Sequence, residues 1–489
     1  LVGTILHATP PILSNKAIHH PIASTTGMVA SQEAQATQIG IDILKQGGNA
    51  IDAAVAVGFS LAVTLPKAGN LGGGGFMLIH IASENKTVAL DFRETAPLRA
   101  HKDMFLNTDN SVNTTSSRFS VLASGVPGTV HGLLSALKTY GSLPRKTVIA
   151  PAYNLAKHGQ TVSPYLHASL TQASSRLQKH TETYRIYFPN NQAPNIGTTW
   201  KQQDLARTLK RIIQNGIPGF YSGPTAEKIH TFMQEQNGSI TKQDLKNYTS
   251  IWRKPIATRY KKHTIYTMPL PSSAGITMHH ILKLMEPYPI QKWGPNSANT
   301  MHIMSQAMSL AYADRAQWLG DSDHVNVPVK KLLSQKYIKT RAKRINPHHH
   351  TPSQKVTYGN PIESNETTHY SIVDPWGNAV SVTTTLNFSY GSGITVPGTG
   401  ILLNNEMDDF SAKPGVPNAY GLLGNKKNAI APNKRMLSSM SPTIVLKNNQ
   451  LYIVTGTPGG SRIITTTVQL LSHLIDHNMN VAEATHMPR

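Results

Sequence analysis

Two strand-like runs joined by a tight turn constrain the fold more than any other feature of the chain. Residues 369–373 and 379–386 are rich in valine, isoleucine, threonine and tyrosine, which favour strands. Between them, residues 374–378 read Asp-Pro-Trp-Gly-Asn, a turn of the kind that joins antiparallel neighbours. The chain is therefore predicted to contain an antiparallel β-hairpin that the rest of the fold must accommodate.

The alternation of side chains along a strand sorts the residues at the start of this hairpin. Side chains two positions apart lie on one face, so Thr367 shares a polar face with His369 and Ser371. Thr368 falls on the opposite, more apolar face with Tyr370. The second strand alternates in the same way, so the two strands are predicted to present neighbouring polar faces.

A threonine at the start of a strand has two interpretations. Threonine is a good strand former, which is reason enough for it to be there. If the preceding peptide bond is cut, however, its hydroxyl lies beside a free α-amine with a reference pKa of about 7.7–8.0. That amine can take the hydroxyl proton near neutral pH, so such a threonine can act as a nucleophile.

The N-terminal part of the chain is predicted to run helix, helix, strand. Residues 31–45 have apolar side chains at helical spacing and stop at a Gly-Gly pair, and residues 51–64 are apolar on most sides, as in a buried helix. The glycine run 72–75 then precedes the strand-like sequence FMLIHI. A nucleotide-binding loop follows a strand and opens a helix, so the order here favours close backbone packing instead.

The remaining pattern indicates a layered structure. Residues 120–340 are mostly helical in pattern, and 346–364 have the composition of a linker. Strand-like runs follow at 443–446 and 451–455, and a helix is predicted at 463–475. Helices on both sides of a set of antiparallel strands predict an α/β sandwich.

Composition narrows the class of protein. The chain has 489 residues, 39% hydrophobic and 15% charged, as in a globular protein, and contains no apolar run of the length that spans a membrane. It has no cysteine, which excludes disulfides, thiolate metal sites and a cysteine nucleophile and suits an oxidising compartment. We therefore expect a periplasmic or secreted protein. No recognised metal-ligand spacing occurs, and the expected cofactor and metal content is none.

The net charge of +21 suggests acidic partners. The basic residues are scattered, however, and no helix-turn-helix, zinc-finger or aromatic-basic repeat occurs. A generally basic surface is therefore favoured over nucleic-acid binding.

Several long motifs resemble the γ-glutamyltranspeptidase family of bacterial type, also called glutathione hydrolases, in the N-terminal nucleophile (Ntn) hydrolase superfamily. They include ESNETTHYSIVDPWGNAVSVTTTLNFSYGSG around the hairpin, LDFRETAP at 90–97, LLNNEMDDFSAKPGVPNAYGL at 402–422 and TGTPGGSRIITT at 455–466. The motifs occur in the family's order, and the resemblance extends from about Ala23 to Arg489.

The resemblance implies an αββα sandwich of the Ntn-hydrolase type that is made by self-cleavage. The precursor of such proteins cuts itself into two subunits that stay together. The cut would fall between Glu366 and Thr367, giving a large subunit of residues 1–366 and a small subunit of residues 367–489 in one αββα domain. Thr367 would become the nucleophile.

The resemblance also implies the roles of other residues. Arg93 would hold a substrate α-carboxylate and Asp409 an α-ammonium, since a zwitterionic head group needs one cation and one anion. Backbone N–H groups of glycines would stabilise an oxyanion, because glycine lets donors approach closely. The remaining expected site residues are Thr385 beside Thr367, Asn387, Glu406, Ser438 and Ser439 around the amino-acid head, Tyr420 in a lid, and Gly459 and Gly460 at the oxyanion.

The activity that the resemblance implies is that of a γ-glutamyl hydrolase and transferase. Its partners would be glutathione and other γ-glutamyl donors, amino-acid or dipeptide acceptors, and water, with no nucleic acid. A glutaryl-type β-lactam side-chain acylase and an inactive basic binding protein on the same fold are the alternatives.

The sequence departs from the family pattern at two places. Met436 stands where relatives usually have proline, which is expected to loosen the turn before Ser438. The sequence ends at Arg489, whereas relatives continue, so the small subunit is expected to lack part of its sheet.

Overall fold

The computed structural model of the protein describes residues 20–349, 351 and 367–489. The strands are β1 (Met28–Ala30), β2 (Gly74–Ile81), β3 (Lys86–Phe92), β4 (Gln160–Thr161), β5 (Thr199–Trp200), β6 (Ile251–Arg253), β7 (Ile256–Tyr260), β8 (His263–Thr267), β9 (Thr368–Val373), β10 (Ala379–Thr385), β11 (Thr395–Val396), β12 (Ile401–Leu402), β13 (Thr443–Lys447) and β14 (Gln450–Thr455). The α-helices are α1 (Ala34–Lys45), α2 (Ala50–Thr64), α3 (Thr114–Phe119), α4 (Thr129–Tyr140), α5 (Arg145–His158), α6 (Pro164–Leu177), α7 (Thr181–Tyr187), α8 (Gln203–Asn215), α9 (Pro218–Tyr221), α10 (Gly223–Glu235), α11 (Lys242–Asn247), α12 (Ala274–Met285), α13 (Ile290–Trp293), α14 (Ala298–Trp318), α15 (Val329–Leu332), α16 (Gln335–Ala342), α17 (Ile463–Ile475) and α18 (Val481–His486).

Two antiparallel sheets form the centre of the molecule. The larger has six strands in the order β1-β9-β10-β2-β3-β6, and the smaller has four in the order β14-β13-β8-β7. Apolar side chains fill the space between the sheets, among them Phe76 and Leu78 of β2 and Ile444 and Leu446 of β13. The two sheets therefore pack face to face around a common core.

Helices cover the outer face of each sheet. α2 is buried along its whole length and packs with Tyr370 of β9 on the outside of the larger sheet. α12, α14 and α17 cover the smaller sheet, where Met278 and Val468 belong to the same apolar cluster as Val445 of β13. The order helix, sheet, sheet, helix confirms the predicted αββα sandwich.

The predicted hairpin and its faces are confirmed. β9 and β10 pair antiparallel, and Tyr370 points to the outer helices as expected. The ring nitrogens of His369 lie 3.0 Å from the hydroxyls of Thr383 and Ser371. Burial lowers the pKa of His369 to about 3, so the ring is neutral. The polar faces of both strands line the space between the sheets.

The glycine run before β2 serves close backbone packing, as the sequence indicates. A Cβ atom at Gly73 would overlap the carbonyl oxygen of Thr385, and one at Gly75 would overlap that of Thr383. Only glycine lets β2 lie this close to β10. The phosphate-loop interpretation is therefore wrong.

One segment contradicts the helical interpretation of residues 120–340. Within it, β7 and β8 form a hairpin that supplies half of the smaller sheet. β7 alternates buried Ile256, Thr258 and Tyr260 with exposed side chains. Two five-residue strands with basic neighbours contain too few apolar positions to stand out between long helical patterns.

The other predicted elements lie where the sequence indicates. The strands at 443–446 and 451–455 and the helix at 463–475 are β13, β14 and α17. Most of the predicted linker, 346–364, lies outside the described residues. In the part of the chain that is described, no helix combines the length and apolarity needed to cross a membrane.

Candidate active site

Thr367 lies immediately before β9, at the edge of the polar space between the sheets. Only 6% of it is exposed, and its Oγ1 donates to Oγ1 of Thr385 at 3.5 Å. Thr385 is the last residue of β10, and its Oγ1 also accepts from the backbone N–H of Asn387 at 2.8 Å. Antiparallel pairing brings the end of β10 beside the start of β9, which places Thr385 next to Thr367 as predicted.

Arg93 follows β3 and is buried among carboxylates. Its guanidinium lies 2.5 Å from Glu406 and 2.5 Å from Asp409, and Glu94 is 3.5 Å away. Nε donates to the carbonyl of Met436 at 3.4 Å, so the residue that departs from the family's proline takes part in the site through its backbone. The structure thus pairs the predicted cation and anion directly with each other.

Three buried carboxyl groups share this one guanidinium. Burial raises the pKa of Glu94 to about 7, that of Glu406 well above its ordinary value, and that of Asp409 as well, against the opposing attraction of Arg93. Neither oxygen of Glu94, nor Oε1 of Glu406, accepts a hydrogen bond from the described residues. The cluster has more acceptors than donors, so it favours a ligand that brings a cationic donor.

A segment of residues 411–424, which we call the lid, covers this cluster. Tyr420 of the lid is buried, and its hydroxyl donates to the carbonyl of Asn387 at 2.7 Å. Asn387 has a φ of 77°, which turns the chain sharply at the end of β10. Asn418 of the lid donates to Asp409 at 3.2 Å. The lid is therefore tied to both sides of the site.

Ser438 and Ser439 lie in the loop before β13, and both are buried. Oγ of Ser438 accepts from the backbone N–H of Met440 at 3.1 Å. Oγ of Ser439 accepts from the guanidinium of Arg315 at 3.2 Å. Each hydroxyl thus has one acceptor position occupied and a proton left to donate.

Gly459 and Gly460 each line a cavity that also reaches Thr367. Their φ values of 133° and 53° belong to the left-handed region, which glycine adopts without strain. The chain passes from them through the 3₁₀ turn Gly460–Arg462 into α17. Their position supports the predicted oxyanion role, which stays a prediction.

The structure brings together nearly all the residues that the sequence predicts for the site. One cavity of about 20 Å³, with space for about one water molecule, is lined by predicted residues. Gly459 lines a second cavity that also reaches Thr367. Glu366 lies outside the described residues. The predicted residues around the first cavity are Arg93, Thr367, Thr385, Asn387, Glu406, Asp409, Tyr420, Ser438, Ser439 and Gly460.

Sequence analysis missed two charged residues of the site. Glu94 lies in the LDFRETAP motif, but its neighbour Arg93 took the only role assigned there. Arg315 lies in α14, far along the chain from the other site residues. The only sign of it in the sequence is that Asp314 and Arg315 are adjacent charged residues in an alanine-rich helix. The other buried residues of this helix are mostly apolar. Such a signal does not say which site the residue serves.

The fold and the site together define the class of protein. An αββα sandwich with a threonine at the start of a central strand, beside hydroxyls and glycine N–H groups, is the arrangement of Ntn hydrolases. Residues 36–489 match the sequence model of the family described as Gamma-glutamyltranspeptidase. The chain belongs to the γ-glutamyltranspeptidase family.

Individual relatives agree with this assignment. The chain is 50% identical over 475 residues to the glutathione hydrolase proenzyme of Escherichia coli, covering 96% of this chain and 82% of that protein. It resembles the crystal structure of Helicobacter pylori γ-glutamyltranspeptidase with a TM-score of 0.67 and 42% identity, over 68% of this chain and 96% of that one. The chain also resembles the crystal structure of cephalosporin acylase from Bacillus halodurans, with a TM-score of 0.82 and 27% identity, over 100% of this chain and 87% of that one.

Proposed function

We propose that the protein is a self-processing γ-glutamyl hydrolase and transferase that acts on glutathione and related γ-glutamyl compounds. The observation that carries the proposal is the buried cluster of Arg93 with three carboxyl groups, next to Thr367. A γ-glutamyl head has both an α-carboxylate and an α-ammonium. The carboxylate competes for the guanidinium, and the ammonium supplies the donors that the carboxyl groups lack.

Maturation begins with the hydroxyl of Thr367. Its oxygen attacks the carbonyl carbon of Glu366, the peptide C–N bond breaks, and the nitrogen keeps its own hydrogen and takes the proton lost by the hydroxyl to become the α-amine. Water then hydrolyses the resulting ester and releases the carboxylate of Glu366. The relative from Escherichia coli is named a proenzyme, which supports a processed chain of two subunits, residues 1–366 and 367–489.

Turnover uses the same hydroxyl with the new amine as base. The amine takes the proton of Oγ1 while the oxygen attacks the γ-carbonyl of the donor. The N–H groups of Gly459 and Gly460 stabilise the oxyanion, and Thr385 holds the attacking hydroxyl. The amine then gives its proton to the leaving group, and the γ-glutamyl ester is resolved by water or by an amino acid. No step requires a cofactor.

The second cavity beside Thr367 suits the leaving group and the acceptor. Its lining does not include the carboxylate cluster but includes the cationic side chains Lys67 and Arg462. A peptide that leaves through it presents a terminal carboxylate to these cations. We propose a periplasmic or secreted location, because the absence of cysteine suits an oxidising compartment.

The acylase alternative fits the site less well. A glutaryl group has one carboxylate and no amine, so it would add a fourth carboxyl group to the cluster and no donor. The lid and its Tyr420 also cover the site here. The inactive binding protein is disfavoured by the hydrogen bond between Thr367 and Thr385, which a mere binding site does not need.

The test is a comparison of two anilides that differ only in the α-amine. We expect γ-glutamyl-anilide to exceed glutaryl-anilide in kcat/KM by about thirty-fold to several-thousand-fold, the effect of ~2–5 kcal/mol for an unpaired buried charge. Comparable values for the two anilides would overturn the proposal in favour of an acylase. No turnover of either by processed protein would favour a binding role.

A further inference from the structure

A second guanidinium reaches the cavity, and no residue role described above uses it. Arg315 lies near the end of α14, is 4% exposed and lines the same cavity as Arg93 and Thr367. It makes no ion pair with a carboxylate of the described residues. Burial without such a partner lowers the pKa of Arg315, so the protein bears a cost to keep this charge here.

The hydrogen bonds of Arg315 go to two serine hydroxyls. Nε donates to Oγ of Ser273 at 2.9 Å, and a terminal nitrogen donates to Oγ of Ser439 at 3.2 Å. The hydroxyl of Ser273 in turn donates a hydrogen bond to the carbonyl of Ser438 at 2.7 Å. Arg315 thus fixes the backbone of one serine of the pair and the side chain of the other.

The hydroxyls of the serine pair have a fixed direction because each accepts from a group that can only donate. Ser439 accepts from Arg315, and Ser438 accepts from the N–H of Met440. Among the described residues, neither hydroxyl proton has an acceptor. Both protons are therefore available to an acceptor in the cavity, and two adjacent donors next to a buried cation suit a carboxylate.

We propose that Arg315 is a positioning and specificity-determining residue, which orients the hydroxyl of Ser439 and holds the backbone of Ser438 through Ser273, so that both serines donate to the α-carboxylate of the γ-glutamyl head. The inference rests on the proposed function and adds to it a second cation. Arg93 is already shared among Glu94, Glu406 and Asp409, so a ligand carboxylate gains little net attraction from Arg93 alone. Arg315 supplies the positive charge that remains.

A double-mutant cycle on the mature enzyme tests this role. We expect Arg315→Gln and Ser439→Ala each to lower kcat/KM for γ-glutamyl-anilide by about ten- to a hundredfold, mainly through KM. The double variant should lose clearly less than the product of the two single losses, because Arg315 acts in part through Ser439. Losses that multiply would overturn the inference.

A second substrate separates positioning from a general structural effect. 4-Aminobutyryl-anilide lacks only the α-carboxylate, so Arg315→Gln should change its kcat/KM little. An equal loss on both anilides would mean a structural role. Arg145→Gln is the matched control: Arg145 likewise has no carboxylate partner among the described residues and donates to the carbonyls of Ile213 and Gln214, but it lies outside the cavity, and neither substrate should be affected.

A third variant keeps the inference testable if Arg315→Gln does not mature. Ser273→Ala keeps the charge and removes only the hydroxyl that links Arg315 to the carbonyl of Ser438. It should show a smaller loss, confined to γ-glutamyl-anilide, and a loss on both anilides would again overturn the inference. Wild-type protein that is inactive on γ-glutamyl-anilide would overturn the proposed function, whereas active wild type with multiplying losses would overturn only the role of Arg315.

Discussion

At the residue scale, the site combines a hydroxyl nucleophile with an unusually dense group of buried charges. Arg93, Glu94, Glu406 and Asp409 lie within one shared ion-pair network, and burial rather than mutual repulsion is the first cause of the raised carboxyl pKa values. Burying so many ionisable groups together costs folding free energy, which is a reason to expect that the group serves binding. The excess of acceptors over donors in this group therefore explains both its cost to folding and its selectivity for a zwitterion.

The identity of the cation is the first property to test. Arg93→Lys keeps one charge but cannot hold Glu406 and Asp409 or grip a carboxylate with two parallel hydrogen bonds. We expect kcat/KM for γ-glutamyl-anilide to fall by about ten- to a hundredfold. Arg185→Lys, in an exposed ion-pair group with Glu182, is the control and should not change it. An unchanged rate for Arg93→Lys would remove Arg93 from the binding site.

The raised pKa of Glu94 predicts a pH-dependent stability. Because the folded-state pKa of about 7 exceeds the ordinary value of 4.5, the folded protein binds the proton more tightly than the unfolded chain. The free energy of unfolding therefore falls as pH rises from about 4.5 to about 7, by on the order of 1–3 kcal/mol from this group. Glu94→Gln should remove that fall.

Thermal unfolding of the wild type and Glu94→Gln across this pH range measures the effect. The melting temperature of Glu94→Gln should increase relative to that of the wild type as pH rises. The difference between the two should become constant above about pH 7. A difference that is constant with pH would show that Glu94 is ionised throughout.

At the element scale, pairing and packing explain which parts of the site could be predicted. The period-two pattern of β9 and β10 places Thr367 and Thr385 correctly, since a register shift by one residue would move them to the outer helices. Arg315 could not be predicted in this way, because the packing of α14 against the loop of Ser439 joins segments that are 124 residues apart. Short-range periodicity contains no information on such contacts.

The lid is the element whose attachment is easiest to weaken. Tyr420→Phe removes one hydrogen bond, to the carbonyl of Asn387, and leaves the ring. The loss of about 0.5–1.5 kcal/mol should make local opening of the lid about two- to tenfold more frequent. Cleavage of the Ala412–Lys413 bond by a protease that cuts on the N-terminal side of lysine, measured under native conditions, should accelerate by that factor.

Tyr184→Phe is the matched control, since it removes a hydroxyl that donates to Asn191 on the surface. It should leave cleavage at Lys413 unchanged. Equal rates in the wild type and Tyr420→Phe would show that Tyr420 does not hold the lid closed.

At the scale of the whole molecule, the sheet order explains why a cut chain would stay assembled. In the larger sheet, β9 and β10 lie between β1 and β2, and in the smaller sheet β13 pairs with β8. The predicted small subunit thus contributes inner strands to both sheets. Composition and motifs predicted the layers, but the interleaving of strands follows from long-range pairing that no local pattern determines.

The interleaving makes a prediction for the processed protein. The parts 1–366 and 367–489 should elute together in size-exclusion chromatography under native conditions and separate only in denaturant. The shared sheets would have to break, with loss of their backbone hydrogen bonds and apolar core, before the parts could dissociate. Separate elution of intact parts in native buffer would contradict this.

The central claim is that Thr367 is a self-generated N-terminal nucleophile, and mass spectrometry tests it most directly. The purified protein is exposed briefly to γ-glutamyl-anilide, quenched in acid to preserve esters, and measured intact and after digestion. We predict two polypeptides, with the smaller one beginning at Thr367 and carrying one γ-glutamyl group on that residue, and a single unmodified chain for Thr367→Ala. A smaller polypeptide that begins elsewhere, a γ-glutamyl group on another residue, or normal maturation of Thr367→Ala would contradict the account.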